Sequence, residues 1–321
     1  MGVPSIGQER TGWVMGVDVG ATKTQFRTKA PDGRSRDQLL VSNDWRHRPW
    51  ARDAAPLAAL IRDFAGDVPL AAVAIGAHGC DSEAECRALN DLLAAHLPCP
   101  VLVRNDAELL VAAASKQPAI GVISGTGSIA VARNPGADLL VAGGWGWILG
   151  DEGGAAAILR EAARHVCLEQ SRTGQSDPIL TNRLVQALDV PVTRFGSRIA
   201  GLGSGAAIGR FAPAVFEAAA AGSPLALRVI DEAAAALCDL VGWIRDRGAA
   251  AHHVITGGGV ITTQPRLYTA FIQKMQVRFG PAISCELFTG APVEGACHLA
   301  ESLLCSPVRP SSPHPREREI K

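Results

Sequence analysis

GVISGTGSIAVARNPGADLLVAGGWGWILGDEGG, residues Gly121–Gly154, is the stretch on which the reading of this chain turns. An apolar run, Val122 and Ile123, falls directly into Ser124-Gly125-Thr126-Gly127-Ser128, a loop of small residues whose N–H groups and hydroxyls can surround an anion. The stretch closes with Gly143-Gly144-Trp145-Gly146-Trp147 and the acidic pair Asp151-Glu152, just ahead of an Ala-rich helical segment. A phosphate cradle and a carboxylate near a helix N-terminus, joined by a short strand pair, suggest phosphoryl transfer to a polar substrate.

Upstream, a similar layout has already run once. Trp13 to Val19 is an apolar strand ending in Asp18-Val19-Gly20-Ala21-Thr22-Lys23-Thr24, with a second strand to Lys29 and a turn at Pro31-Asp32-Gly33. Leu57, Leu60, Ile61 and Phe64 give Ala51–Phe64 helical spacing. A strand over Leu70–Ile75 runs into Ala77-His78-Gly79-Cys80-Asp81, a helix follows over 83–95, and the strand Val101–Arg104 stops at Asn105-Asp106. The pattern restarts at Ala119, so two related halves are expected: 1–117 and 118–305, with 306–321 a disordered, Pro-rich charged tail. Downstream, the strand 252–256 stops at Gly257-Gly258-Gly259, with helices over 264–279 and 293–305. Strands alternating with helices imply α/β sheets containing parallel strands, with sites at the strand C-terminal ends.

Composition bounds the function. A chain of 321 residues exceeds one usual core. A formal net charge of +0 leaves no electrostatic footprint for nucleic acid or an acidic membrane. The apolar runs break well before the ~20 residues a membrane span needs. The first residues lack a signal-peptide pattern, and the eight cysteines are scattered without a CxxC, so a cytoplasmic location is expected.

Each loop also has a plainer reading. The Asp18 hairpin can be only a hairpin, although Gly20 permits close approach, Thr22, Lys23 and Thr24 can meet phosphate oxygens, and Asp18 can hold hydrated Mg2+. It is not a P-loop, because no GxxxxGK[ST] spacing exists. Gly257-Gly258-Gly259 suits a flat ring or ribose, or is a plain strand-to-helix turn. Gly201-Leu-Gly-Ser-Gly mimics a dinucleotide fingerprint but lacks the strand before it, and reads as a loop between helices.

DVGATKT, Asn105-Asp106, SGTGS, GGWGWILGDEGG and TGGGV occur in the order and rough spacing of the actin/Hsp70/sugar-kinase ATPase superfamily. More narrowly, from about Met15 to Ala300 the chain resembles the N-acetylglucosamine kinase and BadF/BadG/BcrA/BcrD-type ATPase family. The resemblance implies two ribonuclease H-like (actin-like ATPase) domains, a nucleotide cleft between them holding ATP and Mg2+, and closure on a small-molecule sugar. It implies phosphorylation of the 6-hydroxyl of an amino sugar, N-acetylglucosamine or glucosamine, with Asp106 as the base. Without the resemblance, Asp106 is equally an N-cap for the helix that follows.

The resemblance likewise assigns sugar contacts to Asn43, Trp45, Gly79, Asn105, Trp145 and Asp151. Where the family carries Ser-Gly-Gly, this chain has Ala77-His78-Gly79, and Gly154-Ala155-Ala156-Ala157 departs from a bulkier pattern, as if to widen the pocket near the sugar 2-substituent. Two alternatives stay open: an iron–sulfur ATPase activator of a radical dehydratase, and a non-catalytic sugar sensor. A homodimer is left open as well.

Overall fold

The computed structural model describes residues 12–305; the tail expected to be disordered lies outside them. The first sheet contains β1 (Trp13–Val19), β2 (Lys23–Lys29), β3 (Ser35–Val41), β4 (Leu70–Ala77) and β5 (Val101–Arg104) in the order β3-β2-β1-β4-β5. β1–β2–β3 form an antiparallel meander, and β4 and β5 add in parallel. The second sheet repeats this plan with β6 (Ala119–Ser124), β7 (Ser128–Arg133), β8 (Leu139–Gly143), β9 (His253–Gly257) and β10 (Ser284–Leu287) in the order β10-β9-β6-β7-β8. Again the first three strands are antiparallel and the last two parallel. Two α/β halves with one topology are thus present, as the restart at Ala119 led us to expect.

Helices α1 (Trp50–Ala65) and α2 (Glu83–Ala94) link the strands of the first sheet, and α3 (Glu108–Ala114) leads from β5 toward the second. The α1 spacing works as read: Leu57, Ala58, Ile61 and Phe64 are buried on one face, packed with Met15, Val17 and Phe26. Between β8 and β9 stand α4 (Ala155–Thr173), α5 (Pro178–Leu188), α6 (Phe195–Leu202), α7 (Gly205–Gly209), α8 (Pro213–Ala220) and α9 (Pro224–Asp246). Their Ala, Leu and Ile faces join β6 and β7 in the larger core. The Gly201–Gly209 run ends α6 and begins α7, capped by Ser204, so no dinucleotide fold is built there.

Past β9 come α10 (Gly259–Thr263), α11 (Pro265–Phe279) and α12 (Val293–Cys305). The last of these corrects the expected division at 117/118. Although it ends the second half in sequence, α12 packs on β1, β4 and α3, burying Cys297 and Ala300 with Val14, Ala72 and Ala74. Glu294 ties it to the first sheet through Arg27 (2.5 Å) and Lys29 (3.0 Å).

Candidate active site

The second phosphate loop is a folded knot of main chain. Ser124 Oγ donates to Gly153 O (2.6 Å) and Ser128 Oγ to Glu152 O (2.6 Å), while Ala155 and Ala156 N–H donate to Gly125 O and Thr126 O. SGTGS and GDEGG therefore form one body. The expected phosphate role of the Ser124 and Ser128 hydroxyls is corrected: both are buried and already spent on carbonyls. Thr126 keeps a half-buried hydroxyl for which no protein partner is found among the described residues. Ala155, Ala156 and Ala157 are buried in the first turn of α4.

Asp151 sits on this knot. Its φ is +63°, a region costly for residues other than Gly, Asn and Asp. Its Oδ1 accepts from Gly146 N (3.1 Å), and its Oδ2 lies over Gly127, where a β-carbon would come within 2.2 Å. Burial, first, and the neighbouring Glu152 raise the Asp151 pKa, against the lowering effect of the Gly146 N–H. Trp145 stands out at 76 % exposure, whereas Trp147 is half-buried against the core. Gly257-Gly258-Gly259 lies alongside: at Gly258 (φ +102°) a β-carbon would stand 2.5 Å from Ser124 O.

On the first sheet, the Asp18 hairpin and the loop after β3 are one unit. Gly20 N donates to Lys23 O, Ser42 N to Thr22 O, and Ser42 Oγ to Gly20 O. Thr24 and Trp45 lie inside this unit. Both are buried, Thr24 Oγ1 shares a hydrogen with Ser42 Oγ (3.0 Å), and Trp45 Nε1 donates to Thr24 Oγ1 (3.1 Å). The Thr24 hydroxyl is thus spent within the fold rather than left for a phosphate. Thr22, Lys23 and Asn43 remain exposed.

Asp106 follows β5, and the N-cap alternative falls to its neighbour. Asn105 Oδ1 accepts from Ala107 N (2.9 Å), and Glu108 Oε1 accepts in return from Asn105 N (3.3 Å). Asn105 Nδ2 is spent on Cys80 O (3.1 Å) and Asp81 Oδ1 (2.9 Å), so its expected sugar contact is corrected to a buried brace between β5 and the loop after β4. The Asp106 carboxylate is left free of capping and meets His78 Nδ1 at 3.5 Å.

Asp18, Asp81, Asp106 and Asp151 all influence one another or His78 electrostatically. Burial, then Asp106, push the Asp18 carboxyl up to about 7, against the opposing charge of His78. Asp81 is raised by burial and by Asp106. Burial acts to lower the His78 imidazolium, but the Asp106 carboxylate outweighs it and the net shift is upward. Gly79, exposed at φ +84°, turns the chain behind His78.

One group was missed in the sequence. Arg46, directly after Trp45, is buried over the Trp50 ring (4.2 Å), 3.7 Å from Asp53, and its Nη2 donates to His78 O (3.3 Å). Its Nε and Nη1 have no hydrogen-bond partner among the described residues. A basic residue one step past a loop Trp carries no signal that distinguishes it from a solvated surface arginine.

A cavity of about 510 Å³, lined by Arg104, Glu108, Val111 and Arg133, holds none of the candidate residues. The carboxylates of Asp18, Asp81, Asp106 and Asp151 instead gather within electrostatic reach of His78 or of one another.

Known proteins share this arrangement. The model of the BadF/BadG/BcrA/BcrD ATPase family matches residues 15–300. An N-acetylmuramic acid/N-acetylglucosamine kinase of Clostridium acetobutylicum is 30 % identical over 149 residues, 44 % of this chain and 49 % of that protein. The chain thus aligns with about half the length of this curated relative. A candidate N-acetylglucosamine kinase from Chromobacterium violaceum superposes with a TM-score of 0.63 at 22 % identity, over 92 % of this chain and 99 % of that one. A ROK family glucokinase from Streptomyces griseus, solved with glucose and AMPPNP, gives 0.57 at 19 % identity over 91 % and 99 %. The fold is that of the two-domain actin-like ATPases and sugar kinases, and the chain belongs to the BadF/BadG/BcrA/BcrD ATPase family.

Proposed function

We propose that this protein is an ATP-dependent kinase that phosphorylates the 6-hydroxyl of an amino sugar, N-acetylglucosamine or glucosamine. The observation that carries this reading is the pair of carboxylates on opposite halves, Asp106 and Asp151, neither consumed by capping, beside loops that carry the exposed Thr22 and Lys23 and the half-buried Thr126. The names borne by the relatives, an amino-sugar kinase and a glucokinase, support the substrate class.

In this reading the ATP phosphates lie between Gly20–Lys23 and Gly125–Gly127, with the Thr22, Lys23 and Thr126 side chains free to meet them. Adenosine rests on the Gly257–Gly259 turn. Asp151, locked over Gly127, and the exposed Asn43 orient the sugar ring, and Trp145 covers it as the domains close. Asp106 accepts the proton of the 6-hydroxyl as that oxygen attacks the γ-phosphorus in line. Phosphoryl transfer asks mainly for positioning and charge compensation, which these groups provide.

The donor set suits Mg2+. Asp18 is an enclosed carboxylate beside Asp106, and that unfavourable pair of like charges is what a divalent cation relieves. No group of three or more His, Cys, Asp or Glu among the described residues would hold a metal by itself, which matches an ion that keeps waters and binds through one or two carboxylates and phosphates. When bound, Mg2+ supplies neutralisation of the transferring phosphoryl charge. The two carboxylates placed to handle an acceptor hydroxyl favour this reading over an ATPase activator.

A coupled assay of ADP release against a panel of hexoses and hexosamines tests it, with NMR of the product to locate the phosphate. Turnover highest on N-acetylglucosamine or glucosamine, with phosphorus coupled to C6, is expected. ATP hydrolysis indifferent to every sugar contradicts it.

A further inference from the structure

We propose that His78 is the positioning residue of the proton-accepting carboxylate: its Nδ1–H holds one oxygen of Asp106 so that the other faces the acceptor hydroxyl. This rests on the reading of Asp106 as base. Where the resemblance leads one to expect Ser-Gly-Gly this chain has Ala77-His78-Gly79, so the imidazole belongs to this chain's own sequence.

Three observations carry it. First, the Asp106 carboxylate has one close polar side chain. Its Oδ2 lies 3.5 Å from His78 Nδ1, an ion-pair contact rather than a closed hydrogen bond, and no side chain among the described residues hydrogen-bonds the carboxylate. Contacts of this kind are often long before substrate binds and tighten in the productive complex.

Second, His78 is held rigidly where it stands. Its N–H donates to Val19 O (2.9 Å), extending the β1–β4 ladder by one residue, and its carbonyl accepts from Arg46 Nη2 (3.3 Å). Cys80 N closes the turn onto Ala77 O (3.1 Å), and Asn105 Nδ2 binds Cys80 O, which ties the loop bearing His78 to the residue just before Asp106. The backbones that carry the two side chains are therefore tied together by one continuous hydrogen-bonded frame.

Third, no side chain among the described residues hydrogen-bonds the His78 imidazole, which is 42 % exposed; Asp18, Asp81 and Asp151 act on it only through their charge. The capping duty that would otherwise orient Asp106 has been taken by Asn105. A carboxylate with one close polar partner loses its orientation when that partner is removed, and supporting contacts of this type are worth roughly 10–100-fold in activity.

The imidazole offers two nitrogens at different reach, and this gives the test its resolution. Asparagine keeps an N–H near the position of Nδ1; glutamine keeps one near Nε2. With ATP and N-acetylglucosamine as substrates, His78→Ala and His78→Gln are expected to lower kcat about 10–100-fold with the KM for ATP within about threefold of the parent, and His78→Asn to restore kcat to within about threefold. In an Asp106→Asn background, His78→Ala should cause no further loss, because it acts only through Asp106.

Equal impairment of His78→Asn and His78→Ala, full activity of His78→Gln, or an unchanged kcat in His78→Ala overturns the inference while leaving Asp106 as base. Retention of turnover by Asp106→Asn alone, or a wild type inert toward both N-acetylglucosamine and glucosamine, overturns the functional reading and this inference together. Thermal unfolding midpoints of the three variants, expected to match the wild type because His78 is half exposed, separate misfolding from lost positioning.

Discussion

Asp106 is available for chemistry because its neighbour does the structural work. Asn105 caps α3, braces the loop after β4 and is fully buried, so the next residue is delivered to the cleft with its carboxylate uncommitted. A similar economy operates across the cleft, where Gly127 exists to make room for Asp151. Gly127→Ala would drive a methyl group into that carboxylate, and a displacement near 1 Å costs on the order of 100-fold. We expect kcat/KM to fall by about that factor with little change in far-UV circular dichroism; wild-type kinetics would refute the packing argument. Asp18 carries a stability cost with a definite sign. Its carboxyl is pushed from 3.8 up to about 7, so the folded protein holds a proton that the unfolded chain gives up at lower pH. That cost is absent below about pH 4 and is complete once pH has risen through about 7. Asp18→Asn should therefore unfold a few degrees above wild type at pH 8 without nucleotide, with the gap closing toward pH 4 in thermal scans.

At the scale of elements, the β1–β2 hairpin and the loop after β3 are joined by the Gly20, Ser42, Thr24 and Trp45 bonds, so the loop carrying Asn43 is braced from below. Trp45→Phe removes the N–H donated to Thr24. It should cost about 1 kcal/mol in chemical denaturation and leave the sugar KM unchanged; a raised KM with intact stability would return Trp45 to the pocket. This pair shows where sequence reading stopped. Strands such as Trp13–Val19 and Ala119–Ser124 were legible because they are nearly continuous apolar runs ending in glycine-rich turns. β3 was not: Ser35–Val41 is an edge strand, exposed along almost its whole length, and its polar residues show no alternation. β10 is only four residues long and half-buried. The acidic ends of strands were likewise visible. Which hydroxyl is free and which is spent was not, because Ser124, Ser128 and Thr24 are satisfied by partners 18 to 29 residues away. Polar satisfaction is a property of the assembled fold.

Over the whole molecule, α3 and α12 help to join the two halves. α3 starts two residues after Asp106 and packs on β6 and β9, and α12 returns the end of the chain to β1 and β4. The candidate base thereby sits at the start of a helix that joins the two sheets. Glu294, paired with Arg27 and Lys29, anchors α12. Its burial acts to raise the carboxyl, but the hydrogen bonds from Arg27 and Lys29 prevail and its pKa is lowered from 4.5. That stabilisation is present above the ordinary carboxylate range and is lost as pH falls through the lowered value. Glu294→Gln should melt below wild type at pH 7, and the difference should vanish in acid; a constant difference across pH would mean that packing, not charge, is responsible.

If Asp106 takes the proton of an acceptor hydroxyl in phosphoryl transfer, single-turnover kinetics of Asp106→Asn with ATP and N-acetylglucosamine should show transfer slowed by several orders of magnitude with sugar affinity changed only modestly. Retention of more than about a tenth of the wild-type rate would contradict it.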